Sequence, residues 1–107
     1  MSTVPSIFSP LGRIDGTNAG VVESELKTIL EASGPNLIFD LSGIEYLSSA
    51  GLRVVLVAAK STRATGGKLV LAGPRPAISE ILKMSGFDRI LETVADTEAA
   101  KALFSQG

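Results

Sequence analysis

Two adjacent serines, Ser48 and Ser49, stand in the stretch Asp40-Leu41-Ser42-Gly43-Ile44-Glu45-Tyr46-Leu47-Ser48-Ser49-Ala50-Gly51-Leu52-Arg53, where a loop enters a helix. Hydroxyls at such a point do one of two kinds of chemistry. In the first, a serine oxygen caps the helix by accepting a hydrogen bond from a backbone N–H of the first turn. Neither serine has Glu or Gln three residues later, so a reciprocal capping box is not available. In the second, the serine accepts a phosphoryl group. A helix N-terminus presents free N–H groups and about half a positive charge, and it tolerates phosphate well. The small neighbours Ala50 and Gly51 leave such a hydroxyl accessible. The local pattern leaves both uses open.

Other polar residues have similar pairs of readings. Asp15 follows a strand-like segment and either sits near the serine loop as a partner contact or serves as a turn or cap residue. Asp40 lies inside an apolar run; it either bonds backbone N–H groups at a strand end or meets a partner. Arg53, one turn beyond the serines, either pairs with a partner's carboxylate or a phosphate, or is simply solvated. Lys60, Arg63 and Lys68 read as a solvated face, with docking as the alternative. Two enzymatic patterns fail. Gly-x-Ser-x-Gly is absent. Gly66-Gly67-Lys68 is not a phosphate-binding loop, because Thr62 stands five residues before Gly67 and Leu69 replaces the hydroxyl residue.

Composition narrows the field further. The chain has 107 residues, 45% of them apolar, which suits one globular domain over residues 1–107. Ten Lys and Arg against 11 Asp and Glu leave a net charge of −1, which disfavours nucleic acid and anionic membranes as partners. Histidine and cysteine are absent, which removes Ser-His-Asp and Cys-His catalysis, disulfides, and Cys- or His-ligated metals. Carboxylates, lysines and Tyr46 are the remaining bases. The expectation is therefore a binding protein without enzymatic activity, cofactor or metal. No run of about 18 apolar residues spans a bilayer. Pro5, Ser9 and Pro10 interrupt any signal-like start, so a cytoplasmic location is expected.

The elements that must position these residues alternate along the chain. Val4, Ile7 and Phe8 suggest a short strand, and Leu11 to Ile14 another, both limited by Pro5 and Pro10. Val22, Leu26, Ile29 and Leu30 mark one face of a helix from Ala19 to Ala32, with Asn18 as its cap and Ser33-Gly34-Pro35 as its stop. Leu37 to Leu41 reads as a buried strand and Ser42 to Tyr46 as a loop. A second helix runs from Ala50 to Thr65, and a strand from Lys68 to Ala72. A third helix opens at Pro74–Pro76 and closes at Ser85-Gly86. A last strand runs from Ile90 to Val94, and Asp96 caps a final helix. Strands separated by helices imply parallel pairing. The expected fold is α/β: one mixed sheet of four or five strands with about four helices packed against it.

The stretch from Asp40-Leu41-Ser42 to Ser48-Ser49-Ala50-Gly51-Leu52 resembles the signature of STAS domains, specifically the bacterial anti-sigma-factor antagonists. Gly12-Arg13-Ile14-Asp15, Gly66-Gly67-Lys68-Leu69 and Leu82-Lys83-Met84-Ser85-Gly86-Phe87 resemble further pieces of the family pattern in the same order. The resemblance covers about residues 11–104 and implies a STAS-like domain. It implies Ser49, two residues before Gly51, as the phosphoacceptor, with Ser48 as the alternative. It also implies Asp15, Asp40, Ser48, Ser49, Ala50, Gly51 and Arg53 as partner-binding residues. The chain departs from the pattern at Ser48, where the family usually has Asp. It departs again in residues 1–10, where the first strand is shortened and leaves a sheet edge open.

In this family the unphosphorylated protein binds an anti-sigma factor, often a serine-protein kinase, and sigma factor is released. Phosphorylation breaks that complex, and a serine phosphatase restores it. The resemblance thus implies transcription regulation through partner switching, with a weak homodimer as a further expectation. The alternative is a STAS scaffold or accessory subunit of a signalling or transport assembly that binds a small molecule.

Overall fold

The computed structural model describes residues 4–105. Among them run β1 (Ser6–Phe8), β2 (Gly12–Ile14), α1 (Ala19–Ser33), β3 (Leu37–Asp40), β4 (Ile44–Leu47), α2 (Ser49–Ala64), β5 (Leu69–Ala72), α3 (Pro76–Met84), α4 (Phe87–Ile90), β6 (Glu92–Val94) and α5 (Thr97–Phe104). Four strands form one sheet in the order β1-β3-β5-β6, while β2 and β4 form a second. Every pairing is parallel.

The expected α/β architecture is present, with six strands in two all-parallel sheets among the described residues where one mixed sheet of four or five strands was expected. The main difference is β4, most of which read as a loop. Its Ile44 and Leu47 are buried while Glu45 and Tyr46 between them are exposed, so the strand lacks the alternation that marks a half-buried strand. The pairing with β2 explains why. Gly12 stands opposite Ile44 but Arg13 opposite Tyr46, which leaves Glu45 as an extra residue in the ladder. The one-turn helix α4 was also not expected.

β1 occupies Ser6–Phe8 within the first ten residues, and Met1–Thr3 of that stretch lie outside the described residues. β1 and β2 do not pair with each other. β1 lies beside β3 and β2 beside β4, so the two ribbons break together at residues 9–11 and 41–43. The Gly12 N–H donates to the Gly43 carbonyl across this break at 2.9 Å. β1 is an edge of the four-stranded sheet.

Burial on both faces accounts for the near-continuous apolar runs of β3 and β5. Leu37, Phe39, Leu69 and Leu71 join the main core with Val22 and Leu26 of α1, Val54, Val55 and Ala58 of α2, and Ile78 and Leu82 of α3. The alternate residues Ile38, Val70 and Ala72 pack with Ala100 and Phe104 of α5 in a smaller core. α2 ends at Thr65 and Gly66; the latter has φ +84°, a conformation that glycine reaches without penalty.

Candidate functional site

The inner face of α2 consists of Gly51, Val54, Val55, Ala58 and Thr62. This spacing sets the first turn of the helix against the end of β2. Gly51 is a steric requirement of that approach: a Cβ there would lie 2.6 Å from the Ile14 carbonyl oxygen and 3.0 Å from a Leu47 methyl. The same carbonyl accepts the Ser48 N–H at 3.0 Å.

The two serines divide the chemistry between them. Ser48 is the cap. It is extended, and its Oγ accepts from the Ala50 and Gly51 N–H groups at 3.2 and 3.3 Å while donating to the Ile14 carbonyl at 3.4 Å. Its hydroxyl is half-buried and occupied on both sides. Ser49 is the first helical residue, is exposed, and makes no side-chain hydrogen bond among the described residues. Ala50 beside it is half-buried.

Asp15 stands just past β2 and joins this rim. It accepts from the Thr17 hydroxyl, from the Thr17 N–H at 2.9 Å and from Arg13 Nε at 2.9 Å. The Thr17 hydroxyl first, then the Thr17 N–H and the Arg13 guanidinium, hold its carboxyl below the ordinary 3.8 despite partial desolvation. Arg13 also lies 5.2 Å from the centroid of the Tyr46 ring, within cation–π range. Asn18 occupies the cap position of α1, as expected, but its side chain makes no cap bond. It faces back into the turn, accepting from the Asp15 N–H at 2.9 Å and donating to the Arg13 carbonyl at 2.8 Å.

Asp40 belongs to a different cluster. It accepts from the Ser9 hydroxyl at 3.0 Å, the Ser42 N–H at 3.0 Å and the Ser42 hydroxyl at 2.7 Å. Burial pushes its carboxyl up, but the Ser42 N–H and hydroxyl and the Ser9 hydroxyl outweigh burial and hold it below 3.8. Arg75 Nε donates to the Ser42 carbonyl at 3.1 Å nearby. This cluster bridges the break in the ribbons. The length of β4, about 13 Å for four residues, separates it from the serines.

The rim therefore brings together Asp15, Ser48, Ser49, Ala50 and Gly51, with Arg53 one turn along α2 and Asp40 set apart. Arg13, Thr17, Asn18 and Tyr46 complete it; the sequence reading named Asn18 only as the cap of α1 and Tyr46 only as a remaining base, and placed none of the four at this rim. The Arg13–Tyr46 contact depends on the pairing of β2 with β4, which local pattern hides, whereas the Thr17 and Asn18 bonds close within the turn itself. Among the described residues, no cluster of three or more acids could hold a metal ion, and no helix is long and apolar enough to cross a membrane.

A parallel α/β fold with an exposed serine on the first turn of the helix after β4 defines a class, and the family comparison agrees with it. The STAS domain model matches residues 2–100, and the chain belongs to that family. Within the family, it is 39% identical over 93 residues to BtrV of Bordetella bronchiseptica, named as a candidate anti-sigma factor antagonist. That match covers 87% of this chain and 80% of the relative. It is 32% identical over 81 residues to the anti-sigma-B factor antagonist of Listeria monocytogenes, covering 76% of this chain and 71% of the relative. Among solved structures, a candidate anti-sigma factor antagonist of Thermotoga maritima superposes with a TM-score of 0.86 at 22% identity, over 92% of this chain and 86% of that one. Unphosphorylated SpoIIAA, an anti-sigma factor antagonist, gives 0.76 at 18% identity, over 96% and 91%. These structural likenesses concern the fold.

Proposed function

We propose that this chain is a single STAS domain that acts as an anti-sigma factor antagonist by partner switching, with Ser49 as the switch. The carrying observation is the division of labour at α2: Ser48 is committed to the cap while Ser49 is exposed and unpartnered. The naming of its relatives supports the general role. The unphosphorylated rim binds an anti-sigma factor with serine-kinase activity through Asp15, Ser49 and Ala50, whereas Gly51, which the resemblance implied as a partner contact, is buried against Ile14 and serves the packing of α2. The kinase phosphorylates Ser49 and a serine phosphatase reverses it. No catalytic step falls to this chain itself.

Phosphorylation adds roughly −1.5 to −2 charges at neutral pH. At a helix N-terminus this is neutral or stabilising by about 0.3–1 kcal/mol, so the switch does not work by unfolding α2. It works across the interface. Burying a dianion that no cation of the partner neutralises costs several kcal/mol, and each 1.4 kcal/mol weakens binding about tenfold. Ser48 has a further use in this scheme. Its hydroxyl donates to Ile14 and accepts from the helix, so it holds Ser49 at the rim without adding a charge of its own.

The test uses unmodified protein, Ser49→Ala and Ser49→Asp as baits for native lysate, with mass spectrometry of captured proteins and of the phosphosite formed on added ATP. Capture of an anti-sigma factor by the first two baits only, with phosphate on Ser49, is expected. Identical partners for all three, or phosphate on Ser48, defeats the reading; stable assemblies lacking an anti-sigma factor favour a scaffold.

A further inference from the structure

We infer that Arg53 is the intramolecular counter-ion for a phosphate on Ser49, a regulatory contact that rests on reading Ser49 as the modified residue. The two residues lie at i and i+4 on α2. They are about 40° apart around the axis and opposite the inner face formed by Gly51, Val54, Val55, Ala58 and Thr62. Both are exposed. Helical residues at this spacing have Cβ atoms about 5–6 Å apart. Long helical side chains lean toward the N-terminus, so Arg53 covers the turn that holds Ser49.

Arg53 is also the available cation. Its side chain has no hydrogen bond, ion pair or ring contact among the described residues. α2 contains no Asp or Glu that would compete for it. The other cation at the rim, Arg13, is bound to Asp15 and lies over Tyr46. A phosphate on Ser49 therefore meets an unoccupied guanidinium one turn away, and guanidinium–phosphate bonds are charge-assisted.

The contact gives the modification two effects on the rim. It adds negative charge at Ser49, and it withdraws Arg53 from any carboxylate on the partner. A partner that uses Arg53 in the unmodified complex loses that contact when the phosphate forms.

The test encodes phosphoserine at position 49 of the full chain and measures the second ionisation of the phosphate by phosphorus-31 NMR titration. Arg53→Gln is expected to raise that pKa by about 0.4 unit, the equivalent of an i,i+4 ion pair. Arg53→Lys should keep most of the effect, and Lys60→Gln, two turns further along, should leave the pKa unchanged. The difference should shrink in high salt. Equal values for the unsubstituted protein and Arg53→Gln overturn the inference, as does a larger shift from Arg13→Gln than from Arg53→Gln. Encoding the phosphoserine makes this result independent of any kinase. Failure of the Ser49 reading would show separately, as a natural phosphate mapped to another residue.

Discussion

Two strand-to-helix turns sit side by side in this molecule and solve the same problem differently. At the entrance to α1, the Asn18 side chain turns backward to bond the Asp15 N–H and the Arg13 carbonyl, while Asp15 holds Thr17 and Arg13. At the entrance to α2, Ser48 turns forward onto the Ala50 and Gly51 N–H groups. The first turn is a closed polar knot built around a carboxylate. The second is uncharged and has its next residue, Ser49, exposed and unbonded. The contrast shows how one turn can be closed by its own side chains while its neighbour leaves a hydroxyl exposed.

The largest effect should come from the contact that joins the two entrances. Gly51→Val places a branched side chain where even a Cβ would be 2.6 Å from the Ile14 carbonyl oxygen. Backbone cannot yield as a flexible side chain would. A loss of about 3 kcal/mol is expected, the upper end for overpacking, read as a lower midpoint in urea denaturation. Full stability in Gly51→Val would show that α2 can move off β2, and the close coupling of the two turns would fall.

Single hydroxyls give the next effect and separate the two serines. Ser48→Ala should cost about 1 kcal/mol, as loss of a helix cap does. Ser49→Ala should change stability by less than about 0.5 kcal/mol, as exposed substitutions do. Thermal melts of both variants measure the difference. Equal losses would remove the distinction between a structural and a free serine on which the proposed switch depends.

Much of this arrangement was legible in the residues. The amphipathic spacing of Val22, Leu26, Ile29 and Leu30 marked α1, and the doubly buried runs of β3 and β5 marked the sheet. The serine stretch marked a helix entrance. Most of what stayed hidden comes from pairing between distant segments. Ile44-Glu45-Tyr46-Leu47 read mostly as loop because the bulge at Glu45 breaks its alternation. With β4 hidden, nothing placed Tyr46 beside Arg13, and nothing showed that a strand separates Asp40 from Ser49. Asn18 was correctly placed at the start of α1, but its two bonds run backward along the chain, a direction that a cap pattern does not specify.

The smallest expected effect tests the charge difference between the turns. Asp15 has its carboxyl held below 3.8, chiefly by the Thr17 hydroxyl, so the unfolded chain takes up a proton more readily than the folded one. Its contribution is complete above the ordinary carboxylate range. It fades as pH falls through 3.8 toward the lower folded value. Asp15→Asn keeps an acceptor for the Thr17 N–H but loses the charge that faces Arg13. The variant should be slightly less stable than the parent at neutral pH, and the gap should close as urea denaturation is repeated down to about pH 2.5. Ser48→Ala supplies the contrast: a hydroxyl cap has no titration in this range, so its deficit should stay nearly constant. A constant gap for Asp15→Asn would mean that the carboxylate acts only as a hydrogen-bond acceptor. The two turns would then differ in shape but not in charge.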